Sequence, residues 1–117
     1  MADDYTVVPI KAVRWVGRKS VVDLFETEGH PDPGGLELAL LRVLDQRPDA
    51  IVINLRELGY LYEDIPASLV NLAKRCRKQN VPLRLCCLSG NAREVLRLTR
   101  LDRVFDVFDT EEAALLG

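Results

Sequence analysis

The chain is poor in the residues that most chemistry needs. It has one histidine, three cysteines, one tryptophan and seven aromatics in 117 residues. A single histidine, His30, in a loop-like stretch makes a Ser-His or Cys-His catalytic pair a poor expectation. Cys76, Cys86 and Cys87 are an odd set with no C-x-x-C spacing, so neither a disulfide framework nor a zinc site is expected. They read as small buried apolar residues in a reducing compartment. A net charge of −2 gives no electrostatic grip on nucleic acid or on an anionic membrane. No apolar run approaches the ~20 residues of a spanning helix. The opening "MADDYTVV" has no basic stretch followed by an apolar one, so no targeting segment is expected. Phosphate-cradling glycine loops and a G-x-S-x-G elbow are missing too. The expectation is a cytoplasmic, non-enzymatic domain with no cofactor, no bound metal, no nucleic-acid partner and no direct membrane insertion.

What is present is an alternation of strand-like and helix-like segments. "YTVVPIKAVRWV" reads as extended, with Pro9 interrupting it or placing it at a sheet edge. Trp15 there reads as a packing residue. "GRKS" is a turn, and "SVVDLFE" a second strand pairing antiparallel with the first. "TEGHPDPGG", from Thr27 to Gly35, reads as the clearest loop, with His30 a solvated loop residue. "LELALLRVLDQR" follows as a helix with Leu36, Leu40, Val43 and Leu44 on one face. "DAIVINL" is nearly continuous in apolar residues, the pattern of a central strand covered on both faces. In "IPASLVNLAKRCRKQN", Ile65, Leu69, Leu72, Ala73 and Cys76 fall on a single helical stripe. Pro66 suits the first turn of that helix. "VPLRLCCL" is a strand. "SGNAREVLRLTRL" is a helix with Asn91 and Glu94 spaced like a capping box, and Ser89 helping to start it. "RVFDVFD" is a last short strand, and "DTEEAALL" a helix capped by Asp109 or Thr110. The sum is a single α/β domain over residues 1–117. Its order is β-β-α-β-α-β-α-β-α, with helices packed on a mixed, mostly parallel sheet.

From Ala50 to Leu115 the sequence resembles the STAS domain family, the fold of bacterial anti-sigma factor antagonists. "IVINLRELGYL" is similar to the family's strand and lead-in. "ASLVNLAKRCRKQNVPLRLCCLSGNAREVLRLTRLDRVFDVFDTEEAAL" is similar to its helix, strand, helix, strand and final helix, and "LTRLDRVFDVFDTEEAAL" carries the most specific likeness. The resemblance implies a signalling domain that regulates transcription through protein–protein contact. Its partner would be an anti-sigma factor with a kinase-like fold or another signalling protein, and homodimers are compatible with it. In the family, a strand-to-helix turn carries Asp-Ser-Ser-Gly, and phosphorylation of a serine breaks the complex. Here Tyr62 falls on the aspartate, Glu63 on the first serine, Asp64 on the second and Ile65 on the glycine. Asn54 stands where many members carry an aspartate. No phosphorylation is expected at the family position.

Three readings of "YED" stay open. Asp64 caps the helix with Glu63 a solvated neighbour of its positive end. Glu63 supplies a permanent charge where phosphoserine would sit, as a partial mimic. Or the turn, with Tyr60, Leu61, Tyr62 and Ile65, has been rebuilt for another partner. The partner surface is expected at Tyr60, Tyr62, Glu63, Asp64, Ile65 and Ser68, with Ser68 on the exposed side of its helix as a weak candidate for modification. The alternatives are a STAS subunit of a membrane transporter or of a larger signalling complex, and a small-molecule-binding α/β domain using Glu63 and Asp64 as acids.

Overall fold

The computed structural model describes residues 6–27, 30–31, 33–61 and 64–117. Its elements are β1 (Thr6–Val7), β2 (Ile10–Val16), β3 (Lys19–Phe25), β4 (His30–Pro31), α1 (Pro33–Asp45), β5 (Ala50–Glu57), α2 (Asp64–Gln79), β6 (Leu83–Cys86), α3 (Gly90–Leu98), β7 (Asp106–Phe108) and α4 (Glu111–Leu116). A 3-10 turn, Leu101–Arg103, leads into β7.

The main sheet runs β2-β3-β5-β6-β7. Its first pair is an antiparallel hairpin, closed at Gly17, whose φ of 62° suits a residue without a Cβ. The other pairs are parallel. β2 is an edge strand, and it starts just after Pro9, which has no N–H to give a ladder. β5 sits at the centre, as its apolar run predicts.

Two faces of unequal depth follow from strand alternation. On one face Val22, Leu24, Ile51, Ile53, Leu55, Leu83 and Leu85 pack under Leu36, Leu40 and Leu44 of α1, Leu69, Leu72 and Cys76 of α2, and Ala92 and Leu96 of α3. On the other, Val21, Val52 and Cys86 pack under Ala114 of α4, with Cys87, Phe108 and Leu115 at the margin. One side of the sheet therefore carries the core. Among the described residues, the other is covered by one six-residue helix, α4.

Several details differ from the sequence reading. The stretch at Thr27 to Gly35 is not all loop. His30 and Pro31 pair in parallel with Thr6 and Val7, and α1 begins at Pro33. The N-cap of α3 is Ser89, whose hydroxyl accepts from the Ala92 N–H at 3.0 Å; Asn91 lies inside the helix, and Glu94 pairs with Arg97 instead. Thr110 caps α4 by accepting from the Ala113 N–H at 3.0 Å. Trp15 is 40% exposed, on the edge strand β2. Cys76 and Cys86 are buried as expected, but Cys87 is only half-buried.

Candidate functional site

The β5–α2 junction lies at the C-terminal end of the central strand. That is where ligands and partners of open α/β sheets commonly bind. The strand ends in a tight turn, with the Leu58 N–H donating to the Leu55 carbonyl at 3.1 Å. Two contacts pin the next residue. The Gly59 N–H donates to Glu26 Oε1 at 3.1 Å, and the Ser89 hydroxyl donates to the Gly59 carbonyl at 2.8 Å. A Cβ at position 59 would lie 3.3 Å from Glu26 Oε1, so a side chain there would need Glu26 to shift by a few tenths of an ångström. Ser89 therefore does two jobs: it caps α3 and anchors the loop before α2. Beyond this anchor, Leu61 turns inward and Tyr60 stands 55% exposed.

The expected partner residues divide sharply. Tyr60 and Asp64 are exposed. Asp64 is the first residue of α2 rather than the residue ahead of it, so it adds charge to the first turn instead of capping from outside. Ile65 is 1% exposed and Ser68 3%, so neither is offered to a partner by the folded domain. The expectation of an exposed Ser68 is corrected by helix geometry. Ser68 lies three residues after Ile65 and four before Leu72, on the buried stripe itself. The exposed positions of this first stretch are Asp64, Ala67 and Asn71. Asn71 is tied to α1 through its amide, which donates to Glu37 Oε1 at 2.9 Å. Tyr62 and Glu63 lie outside the described residues.

A second polar group, not singled out from the sequence, holds α4 on the thin face. Arg14 donates to both carboxylate oxygens of Asp23, at 2.7 and 2.8 Å, and to both of Glu111. The Asn54 amide, 4% exposed, donates to Glu111 Oε1 at 2.8 Å while its oxygen accepts from the Arg56 N–H at 2.8 Å. The hydrogen bonds from Arg14, joined by that from Asn54, hold the Glu111 carboxyl below the usual carboxylate range. The same carboxylates, Asp23 first, push the Arg14 guanidinium up. Glu111 and Asn54 are 57 residues apart, so no local pattern announces the contact.

This group borders a cleft of about 440 Å³ that also takes in Lys11, Arg56 and Glu57. Its carboxylates are each engaged by a cation, since Lys11 holds Glu57 at 2.8 Å and Arg14 holds the other two. Among the described residues no group of three or more His, Cys, Asp or Glu is placed to hold a metal ion. No helix among them is long and apolar enough to cross a membrane.

The profile of the STAS domain family matches residues 33–114, which takes in the whole described junction. The chain belongs to the STAS domain family. No curated protein matches it. Among solved structures, an anti-sigma factor antagonist from Mycobacterium paratuberculosis is 27% identical with a TM-score of 0.76, over 90% of this chain and 89% of that one. An anti-sigma-factor antagonist (STAS) domain protein from Planctomyces limnophilus is 24% identical with a TM-score of 0.74, over 94% and 97%. A sulfate transporter family protein from Wolinella succinogenes is 18% identical with a TM-score of 0.70, over 85% and 83%. The mixed α/β fold expected from the sequence is therefore the STAS fold.

Proposed function

We propose that this chain is a non-enzymatic regulatory domain that works by protein–protein contact, in the manner of an anti-sigma factor antagonist. The contact surface is the β5–α2 junction with the exposed side of the first α2 turns. One observation carries the reading: a large aromatic, Tyr60, is held out at 55% exposure on a loop whose neighbour Gly59 is fixed by two hydrogen bonds. An exposed tyrosine on a pinned loop loses little conformational freedom on binding, and tyrosine is enriched among residues that dominate interfaces. Charge comes from Glu63 and Asp64. With Glu63 at the family's phosphorylatable position, binding is not switched off by a kinase there. Ile65 and Ser68 support the surface from beneath and do not touch the partner.

The test is affinity co-purification of the tagged protein from its native cells, with Tyr60→Ala in parallel. Recovery of a soluble protein of kinase-like fold, lost with Tyr60→Ala, is the expected result. The same protein recovered equally by the variant overturns the surface. The likeness in fold to the transporter-family protein gives the second reading, a subunit of a membrane assembly. Recovery of transporter subunits in the membrane fraction would establish it and displace the first.

A further inference from the structure

Cys86 ends β6 and Cys87 follows it, beside the thin face of the sheet. Consecutive strand residues point to opposite faces. Cys87 does not, because its φ is 62° and it has left the strand. Its side chain packs on the same small cluster as Cys86, Val21 and Ala114. Both side chains therefore lie on one side of the chain, against the same cluster. An Arg56 N–H donates to Cys87 Sγ at 3.7 Å. Cys86 is fully buried, and burial is the chief cause that pushes its thiol up to about 12, so it stays protonated. Cys87 is half-buried and is the more accessible of the two.

Geometry decides what such a pair can do. Adjacent Cα atoms are held about 3.8 Å apart by a trans peptide, whereas ordinary disulfides span about 4.4–6.8 Å. Direct oxidation to a disulfide is disfavoured. A zinc site asks for about three or four protein ligands, and no such set exists among the described residues. An atom set between the two sulfurs has neither problem. It spans two thiols on the same side of the chain without drawing them to S–S bonding distance, and needs no third ligand.

We propose that Cys86 and Cys87 form a dithiol site for a soft thiophilic centre that is satisfied by two sulfur ligands, with trivalent organoarsenicals as the chemical type. Cys87 attacks first and Cys86 closes the ring. An aryl arsenoxide, R–As=O, gives R–As(S–Cys)₂ and one water. Two As–S bonds form, the As=O bond breaks, and both thiol protons leave with the oxygen. Arsenic stays trivalent, so no oxidant or reductant takes part, and a protonated Cys86 is the form the condensation uses.

The experiment treats the folded full chain with one equivalent of phenylarsine oxide and reads the intact mass under native conditions. Wild type and Cys76→Ser are expected to take one adduct, stable to excess monothiol and released by a dithiol such as 2,3-dimercaptopropanol. Cys87→Ser, or Cys87→Ala if the serine variant does not fold, is expected to take none that survives monothiol. No adduct on folded wild type overturns the site. So does an adduct that monothiol removes, or one that persists in the Cys87 variant.

Discussion

Removing the Glu111 side chain tests how α4 is held on the sheet. The ion pair with Arg14 is short and two-pronged, but the Arg14 side chain is 43% exposed. Solvent screening limits such a pair to about 0.5–1 kcal/mol. The larger loss falls on Asn54. Its buried amide gives its hydrogen to Glu111 Oε1, and stranding a buried donor costs about 1–3 kcal/mol. Glu111→Ala should therefore cost about 2–3 kcal/mol, mostly through Asn54. At about 4 °C per kcal/mol, the melting temperature should fall by about 8–12 °C. Glu111→Gln keeps an oxygen for Asn54 and should lose about 1 kcal/mol or less. The assay is urea unfolding of both variants and of Asn54→Ala, alone and combined with Glu111→Ala. A coupling of about 1 kcal/mol or more between Asn54 and Glu111 is expected. Equal losses for Ala and Gln, or an Ala loss under about 0.5 kcal/mol, would refute the reasoning, because such small changes are typical of uninvolved surface sites. The pH dependence has a definite sign. The folded carboxyl titrates below its unfolded value of about 4.3, so its contribution is complete above that pH and is lost as pH falls through the lower folded value. Wild type should lose its margin over Glu111→Gln in that acid window and keep it at neutral pH.

Other substitutions probe the remaining joints. Leu69→Ala opens a cavity at a fully buried position between α2 and the sheet and should cost about 2–5 kcal/mol in chemical denaturation. Ser89→Ala removes both the α3 cap and the tie to Gly59. It should cost about 1–2 kcal/mol and speed hydrogen exchange at Ala92, while an unchanged stability would show that the cap is replaced. Ser68→Asp buries a charge and should cost about 3 kcal/mol or more, and intact protein should resist phosphorylation at Ser68 under conditions where unfolded protein is modified.

Elements with a strong local signature were legible in the sequence, and elements set by distant neighbours were not. The β5 run and the α2 stripe announce themselves, because a strand buried on both faces and an amphipathic helix each write their period into consecutive residues. Ser68 shows where residue type misleads. Its spacing put it on the buried stripe, but a hydroxyl suggested solvent, and in a folded helix phase wins. Trp15 shows the reverse: an apolar residue that stands 40% exposed on an edge strand, whose place in the sheet is set by strand pairing with segments elsewhere. The pairing of His30–Pro31 with Thr6–Val7 joins segments more than twenty residues apart, and turn-rich composition hid it. The Arg14–Glu111–Asn54 group spans β2, β5 and α4, and nothing local marks it. At the junction, the sequence located the loop correctly. The three-dimensional arrangement then separated Tyr60 and Asp64, which face outward, from Ile65 and Ser68, which do not.

The most direct test of the regulatory reading is a binding titration of the recovered partner against wild type, Tyr62→Ala and Glu63→Lys, with melting temperatures measured on the same samples. The account predicts that both variants lose at least about tenfold in affinity, about 1.4 kcal/mol, while their melting temperatures stay within about 2 °C of wild type. Unchanged affinity in both variants would contradict it, and would reduce the acidic turn before α2 to a helix start.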